Sequence, residues 1–289
     1  GAVLAAVAYQ DPTLRDVDDI GFIVPRRRLA DAQRALWAQA YRPRERWPQD
    51  GTEEGRDCLY VKKNSVLKVE LQWVMAREHF QFLLDRPEVW ERLSAVSFQG
   101  RTLQVLPPEE LLAILCVHGS KRAWEKLKWA VDVAELVRAS RLDWRRVFAR
   151  AAQWKCRRMV LLGLGLAHHL LNASVPPTIL SEFCADRDCP ELAMRMPKSL
   201  LLRPDEGIGA DAAPALYCSL KDSRRDRWRY EFVLLWHDHP ILRRLPDWLR
   251  SRKSLARFAS IAQAVRASWL FCRCMEIKTA VAGSKPSPR

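Results

Sequence analysis

Residues 14–25, LRDVDDIGFIVP, set acidic side chains against a short apolar run that ends at a proline. On a strand, Asp19 and Gly21 point to one face while Ile20 and Phe22 point to the other. A second run, residues 66–73, alternates with period two. Leu67, Val69, Leu71 and Trp73 form one face, and Lys68, Glu70 and Gln72 form the other, as a half-buried strand requires. If the two strands are neighbours in one sheet, Asp19 and Glu70 converge. Carboxylates gathered on a sheet face suit a hard cation such as Mg²⁺ (or Mn²⁺), and such a cation organises triphosphate chemistry. The competing reading is a strand edge carrying ordinary surface acids.

A further polar constellation lies at residues 118–132. His118, Lys121, Glu125 and Lys128 follow helical spacing, with Lys121 and Glu125 placed as an i,i+4 pair. Trp124, Leu127, Val131 and Ala134 then form the apolar face. Other candidates carry less. His168 and His169 are adjacent on an apolar helix and face different ways, and His237-Asp238-His239 reads as a helix end before Pro240. Cys272 and Cys274 diverge on a helix. Serine-hydrolase G-x-S-x-G, P-loop and H-E-x-x-H patterns do not occur.

The elements that must position these residues change character near residue 106. Before it the pattern is mixed: a helix at 3–9, a strand at 20–24, a helix at 29–41, and hairpins pairing 59–61 with 66–73 and 96–98 with 102–105. From Pro107-Pro108-Glu109-Glu110 onward helices dominate, at 111–119, 123–140, 143–156 and 158–171. Residues 186–226 read as looser connections, and helices return at 228–237, 246–250 and 255–276. The expected architecture is α+β: a small mixed sheet with flanking helices over 1–106, a helical domain over 107–276, and a disordered tail over 277–289.

Lysine and arginine number 48 against 34 acids, giving a formal charge of +14 across 289 residues. That surplus favours anionic partners, nucleotide or nucleic acid among them. Residues 221–257 carry a net +6 with Trp228, Tyr230, Trp236 and Trp248 interleaved, which suits single-stranded nucleic acid or, equally, amphipathic helices anchored by tryptophan. The longest apolar run, residues 159–171, is too short to cross a hydrocarbon core of roughly 30 Å as a helix. Eight scattered cysteines without a CxxC pair read as reduced thiols, and with no secretory signal in view the expected location is the cytoplasm. The chain opens at Gly1 within a helical pattern, so further residues are expected upstream.

Taken in order, these motifs resemble the uncharacterised bacterial nucleotidyltransferase family of the DNA polymerase β superfamily. Its members read K-G near the start, R-x-x-x-D-hydrophobic-D, an E-L-H-W strand, then H-x-x-K-x-x-W and W-x-x-D. The similarity runs from Gly1 to about residue 175, with a weaker echo at residues 245–249. It implies a polymerase-β-like core that moves a nucleotidyl group from an NTP to a hydroxyl acceptor on a protein, small molecule or RNA. By the resemblance Asp19 and Glu70 are the catalytic and metal-holding carboxylates, and Arg15, His118 and Lys121 serve nucleotide binding. Trp124, Trp129 and Asp132 complete the helical motif. Two positions depart: Gly21 stands where the family has its second Asp, and Gln72 where it commonly has His. The departure at Gly21 leaves two expectations, an enzyme that is catalytically impaired or a non-catalytic nucleotide- or nucleic-acid-binding module on the same fold.

Overall fold

The computed structural model describes residues 1–9, 11–17, 19–44, 57–73, 87–98, 100–202, 213–228 and 230–231. The chain divides into two compact units, residues 1–227 and 228–289, and every element below belongs to the first. The helices expected beyond residue 231, most of the aromatic-rich basic stretch and the tail at 277–289 lie outside the described residues. The N-terminal elements are α1 (Ala2–Ala8), β1 (Ile20–Ile23), α2 (Leu29–Ala38), β2 (Arg42–Pro43), β3 (Asp57–Val61), β4 (Lys68–Gln72), α3 (Pro87–Trp90), β5 (Ser94–Phe98) and β6 (Arg101–Val105). Seven helices follow: α4 (Pro108–Lys121), α5 (Leu127–Ala139), α6 (Trp144–Gln153), α7 (Arg157–Leu171), α8 (Pro177–Ala185), α9 (Cys189–Leu202) and α10 (Ala213–Ser219). The molecule is thus α+β, a small mixed sheet with flanking helices and then a helical region.

Four strands form the sheet in the order β1-β4-β3-β2, with β1 parallel to β4 and the other pairs antiparallel. Asn64, at φ 61°, makes the tight turn between β3 and β4, a conformation asparagine tolerates well. Tyr60, Val69 and Leu71 bury one face of the sheet against Leu29, Leu36 and Tyr41. The opposite face carries Glu70 and Gln72, and Ile23 on that side reaches the main core. Among the described residues, strands β5 and β6 pair with each other alone, and Gly100 at their turn has φ 74°.

The main core is helical. Leu112, Val117, Val133, Leu136, Met159 and Leu162 are buried together, and Leu4 and Ala8 of α1 join them. So α1 is a member of the helical core although it precedes the sheet in sequence. The buried N-terminus of α4 is tied to α6: Arg150 Nε donates to Glu110 at 3.0 Å, and the Asp143 amide donates to Glu109 at 3.2 Å.

Two expectations are corrected. The helix expected over 123–140 begins at Leu127, because Ala123 and Trp124 adopt left-handed φ values of 52° and 54°. The Trp124 ring lies over Gly119, where an added Cβ would sit 2.6 Å from it, and against Gly163. Glycine at 119 is what admits the indole. The break shifts the helical phase, so Leu127 is 48% exposed and the buried face is Ala130, Val133, Ala134, Leu136 and Val137. Lys121 and Glu125 are therefore not an i,i+4 pair on one helix.

Residues 186–226, expected as loose connections, contain α9 and α10. Their polar residues are used inside a network centred on buried Arg158. Its guanidinium donates to Asp186 at 2.8 and 2.6 Å and to Asp188 at 2.8 Å, and also reaches the Ser219 carbonyl. Asp222 accepts the Arg157 and Arg158 backbone amides at 2.9 Å each. Pro177 sits in the first turn of α8, where a missing amide proton is harmless. No described helix is long and apolar enough to cross a membrane. The described cysteines are all free thiols.

Candidate functional site

The parallel register of β1 and β4 sets Gly21 directly beside Glu70, and Asp19 immediately precedes β1. Both carboxylates are half-buried. Gln72 Nε2 donates to Glu70 Oε2 at 2.6 Å, so Gln72 orients the carboxylate from its own strand. Burial raises the proton affinity of Glu70. The nearby carboxylates of Asp57 and Asp19 raise it further, while the Gln72 bond and the Lys121 ammonium oppose them. Glu70 is thus a carboxylate in a locally negative, partly desolvated setting, which a cation would relieve.

Asp57 is a site residue that sequence reasoning missed. It opens β3 opposite Gln72, and the sequence reading began that strand at Leu59. Extending the alternation of Leu59 and Val61 back by two residues would have put Asp57 on the Glu70 face. Gly21 is exposed, and a Cβ built there meets nothing within 4 Å. The place where a second β1 carboxylate would stand is open space. Among the described residues no three His, Cys, Asp or Glu side chains gather closely enough to form a metal site by themselves. The donors on offer are the Asp19 and Glu70 carboxylates, and Mg²⁺ commonly uses one or two carboxylates together with substrate oxygens and water.

The helical wall of the site comes from the end of α4 and the start of α5. His118 meets Trp129 edge-on, with ring centroids 5.4 Å apart. Burial, then the charges of Lys121 and Arg122, push the His118 pKa down to about 4, so the imidazole is neutral near pH 7. Lys121 lies within electrostatic reach of both His118 and Glu70. Its carbonyl accepts the Tyr217 hydroxyl, which ties this end of α4 to α10. One turn ahead of Asp132 on α5 stands Lys128. Lys128 and Asp19 share an electrostatic partner in the Gly1 amino group, and a Cβ built at Gly1 would lie 3.4 Å from the Asp19 carbonyl.

Arg15 is placed differently from the other nucleotide-binding candidates. Its Nε and Nη2 donate to the two oxygens of Asp132 at 2.7 and 2.8 Å, a bidentate pair in which Asp132 is only 2% exposed. The Tyr9 hydroxyl donates to the same carboxylate at 2.6 Å. Burial and this bond to Asp132 raise the proton affinity of the Tyr9 phenolate strongly. The Asp57 and Asp19 carboxylates and the Lys121 ammonium thus act electrostatically on Glu70, and Lys121 acts on His118 as well. The Arg15 fork faces Asp132.

The family model of an uncharacterised nucleotidyltransferase matches residues 1–172. The match runs from α1 through α7 and contains every site residue named above. No curated protein matches the chain.

Proposed function

Because the chain belongs to the uncharacterised nucleotidyltransferase family, we propose that it transfers a nucleotidyl group from an NTP to a hydroxyl acceptor, and does so slowly. The observation that supports this reading is half-buried Glu70 beside Gly21, with the Asp57 and Asp19 carboxylates and the Lys121 ammonium within electrostatic reach of it. Acids for a hard cation and lysines for a polyphosphate are the two charge sets that such a transfer requires. Asp19 and Glu70 would hold Mg²⁺ or Mn²⁺. When bound, the ion supplies charge neutralisation to the phosphates and orients the α-phosphorus.

The residues of the chain do the rest. Lys121 and Lys128 hold the triphosphate tail by compact ammonium contacts. His118, being neutral, donates a hydrogen bond without adding charge. The acceptor oxygen attacks the α-phosphorus, the bond to the β-phosphate oxygen breaks, and pyrophosphate leaves. The acceptor proton passes to solvent as the new bond forms. Gly21 removes the ligand that would share the ion with Asp19, and this is the reason for the low expected rate.

Incubation with α-labelled NTPs and Mn²⁺ or Mg²⁺ tests the proposal. Slow incorporation of label into protein, small molecule or RNA, abolished by Glu70→Gln and by Asp19→Asn, is the expected result. Transfer that survives both substitutions would remove the carboxylates from the reaction. The second reading, a nucleotide- or nucleic-acid-binding module without turnover, is favoured by Gly21 alone. It predicts NTP affinity that depends on Lys121 with no incorporated label.

A further inference from the structure

The Tyr9–Asp132–Arg15 cluster, centred on buried Asp132, has no part in the transfer step as written. Asp132 is on α5, in the helical part of the molecule, and 2% of its side chain is exposed. Its three hydrogen bonds all come from elsewhere in the chain: one from Tyr9 at the end of α1, and two from Arg15 in the segment that leads into β1. Arg15 stands four residues before Asp19, and the 3-10 turn at Pro12–Leu14 closes just ahead of it. Tyr9 follows α1, whose own Leu4 and Ala8 are fixed in the helical core.

We propose that Asp132, acting through Arg15, is a positioning residue that fixes the approach segment of β1 and hence the placement of Asp19 beside Glu70. The geometry suits that task. A bidentate guanidinium–carboxylate pair fixes angle as well as distance, and a buried one holds a single arrangement. Among the described residues, the β1 strand has one hydrogen-bonded neighbour, β4, and takes no positional support from a second strand. Lys128 stands one turn before Asp132 on the same helix. One carboxylate therefore couples the lysine-bearing helix to the acid-bearing strand.

This inference rests on the metal-site reading only for its functional consequence; the positioning itself is measurable without metal. The test replaces the cluster by apolar residues of similar size, Tyr9→Phe with Arg15→Met and Asp132→Leu, which leaves no buried charge unpaired and is therefore close to neutral for stability. Amide hydrogen exchange read by mass spectrometry should then rise about tenfold or more over residues 15–24, with α7 unchanged. Mn²⁺ affinity should fall about 10- to 100-fold, the usual effect of losing a group that orients a ligand. A milder variant, Arg15→Lys, keeps the charge and loses the fork, and should loosen the same peptide by a smaller factor even if the triple variant folds poorly. Exchange over residues 15–24 that is unchanged, or that rises only in step with α7, overturns the proposal. Glu70→Gln serves as the separate control: if it leaves Mn²⁺ binding intact, the metal reading fails while the exchange result still decides the positioning role.

Discussion

Replacing Gly21 by Asp tests the electrostatics of the site most directly. The register puts position 21 beside Glu70 on an adjacent strand, and strands in a sheet lie about 4.8 Å apart. Nothing within 4 Å obstructs a new Cβ, and the backbone is extended, so the substitution carries little steric cost. Its cost is charge. Two carboxylates about 6 Å apart at an effective dielectric of about 20–40 repel by roughly 1–3 kcal/mol. For a unit of this size each kcal/mol moves the melting temperature by about 2–4 °C. The metal-free Gly21→Asp protein should therefore melt several degrees below wild type at pH 8. It should recover at pH 5, as the crowded carboxylates take up protons. Adding Mg²⁺ or Mn²⁺ should reverse the order, because a third hard oxygen ligand joins the site; saturation to 100 times Kd adds about 2.7 kcal/mol. Scanning calorimetry with and without metal, and label transfer from NTPs, read the outcome. Equal melting temperatures without metal, or wild-type turnover as fast as that of the variant, would refute the account of Gly21 as a missing ligand.

Three further outcomes are expected. Lys121→Ala and Lys128→Ala should each weaken NTP binding about tenfold in calorimetry with little change in melting temperature, since helix-surface lysines contribute little packing; an unchanged affinity would return them to ordinary surface. Gly119→Ala should lower the urea midpoint by the equivalent of about 1–3 kcal/mol, because the new methyl meets the Trp124 ring at 2.6 Å and that ring is boxed in by Gly163; a midpoint at or above wild type would count against the notch. The pH dependence of stability should show two acid-side losses. His118 has a folded pKa of about 4, below the unfolded value near 6.5, so the stability of its neutral form is present above pH 6.5 and is lost as pH falls toward 4. His118→Gln should flatten that limb. Burial alone would raise the Asp186 pKa, but Arg158 and the amides of Cys189 and Asp188 hold it well below the usual carboxylate range. Its contribution is present above that range and lost as pH falls through it. Asp186→Ala should cost about 3 kcal/mol at pH 7 and less at pH 3.

The sheet was legible where side chains alternate with burial. Val69, Leu71 and Trp73 are buried and Glu70 and Gln72 face the other way, as period two requires. Gly21 was singled out by the resemblance, which has a second Asp at that position. The turn at Ala123-Trp124 was hidden, since both residues fit a helical stripe and neither favours the left-handed region. Only the space provided by Gly119 and Gly163, 44 residues apart, makes that conformation worth its strain. Asp57 was lost to a strand boundary, the least certain part of any sequence reading. The helices at 177–202 were obscured because acidic residues that look solvated in sequence serve Arg158 in the fold. Pairings of this kind are non-local, and local patterns carry no trace of them.

The parallel pairing of β1 with β4 also bears on how the site comes into being. Asp19 and Glu70 are separated by 51 positions, and the strand next to β4 on its other side, β3, lies between them in sequence. The antiparallel β3–β4 hairpin closes over a short turn and can form early, whereas β1 must wait for that hairpin before it has an edge to join. During synthesis the carboxylate pair cannot exist until residue 72 has emerged, and Arg15 has no anchor until Asp132 follows. Fragments that stop short of α5 would contain both acids and still lack the bond that steadies the strand carrying the first. Assembly of the candidate site is thus a late event in folding, and refolding rates measured at Asp19 should trail those measured in the hairpin.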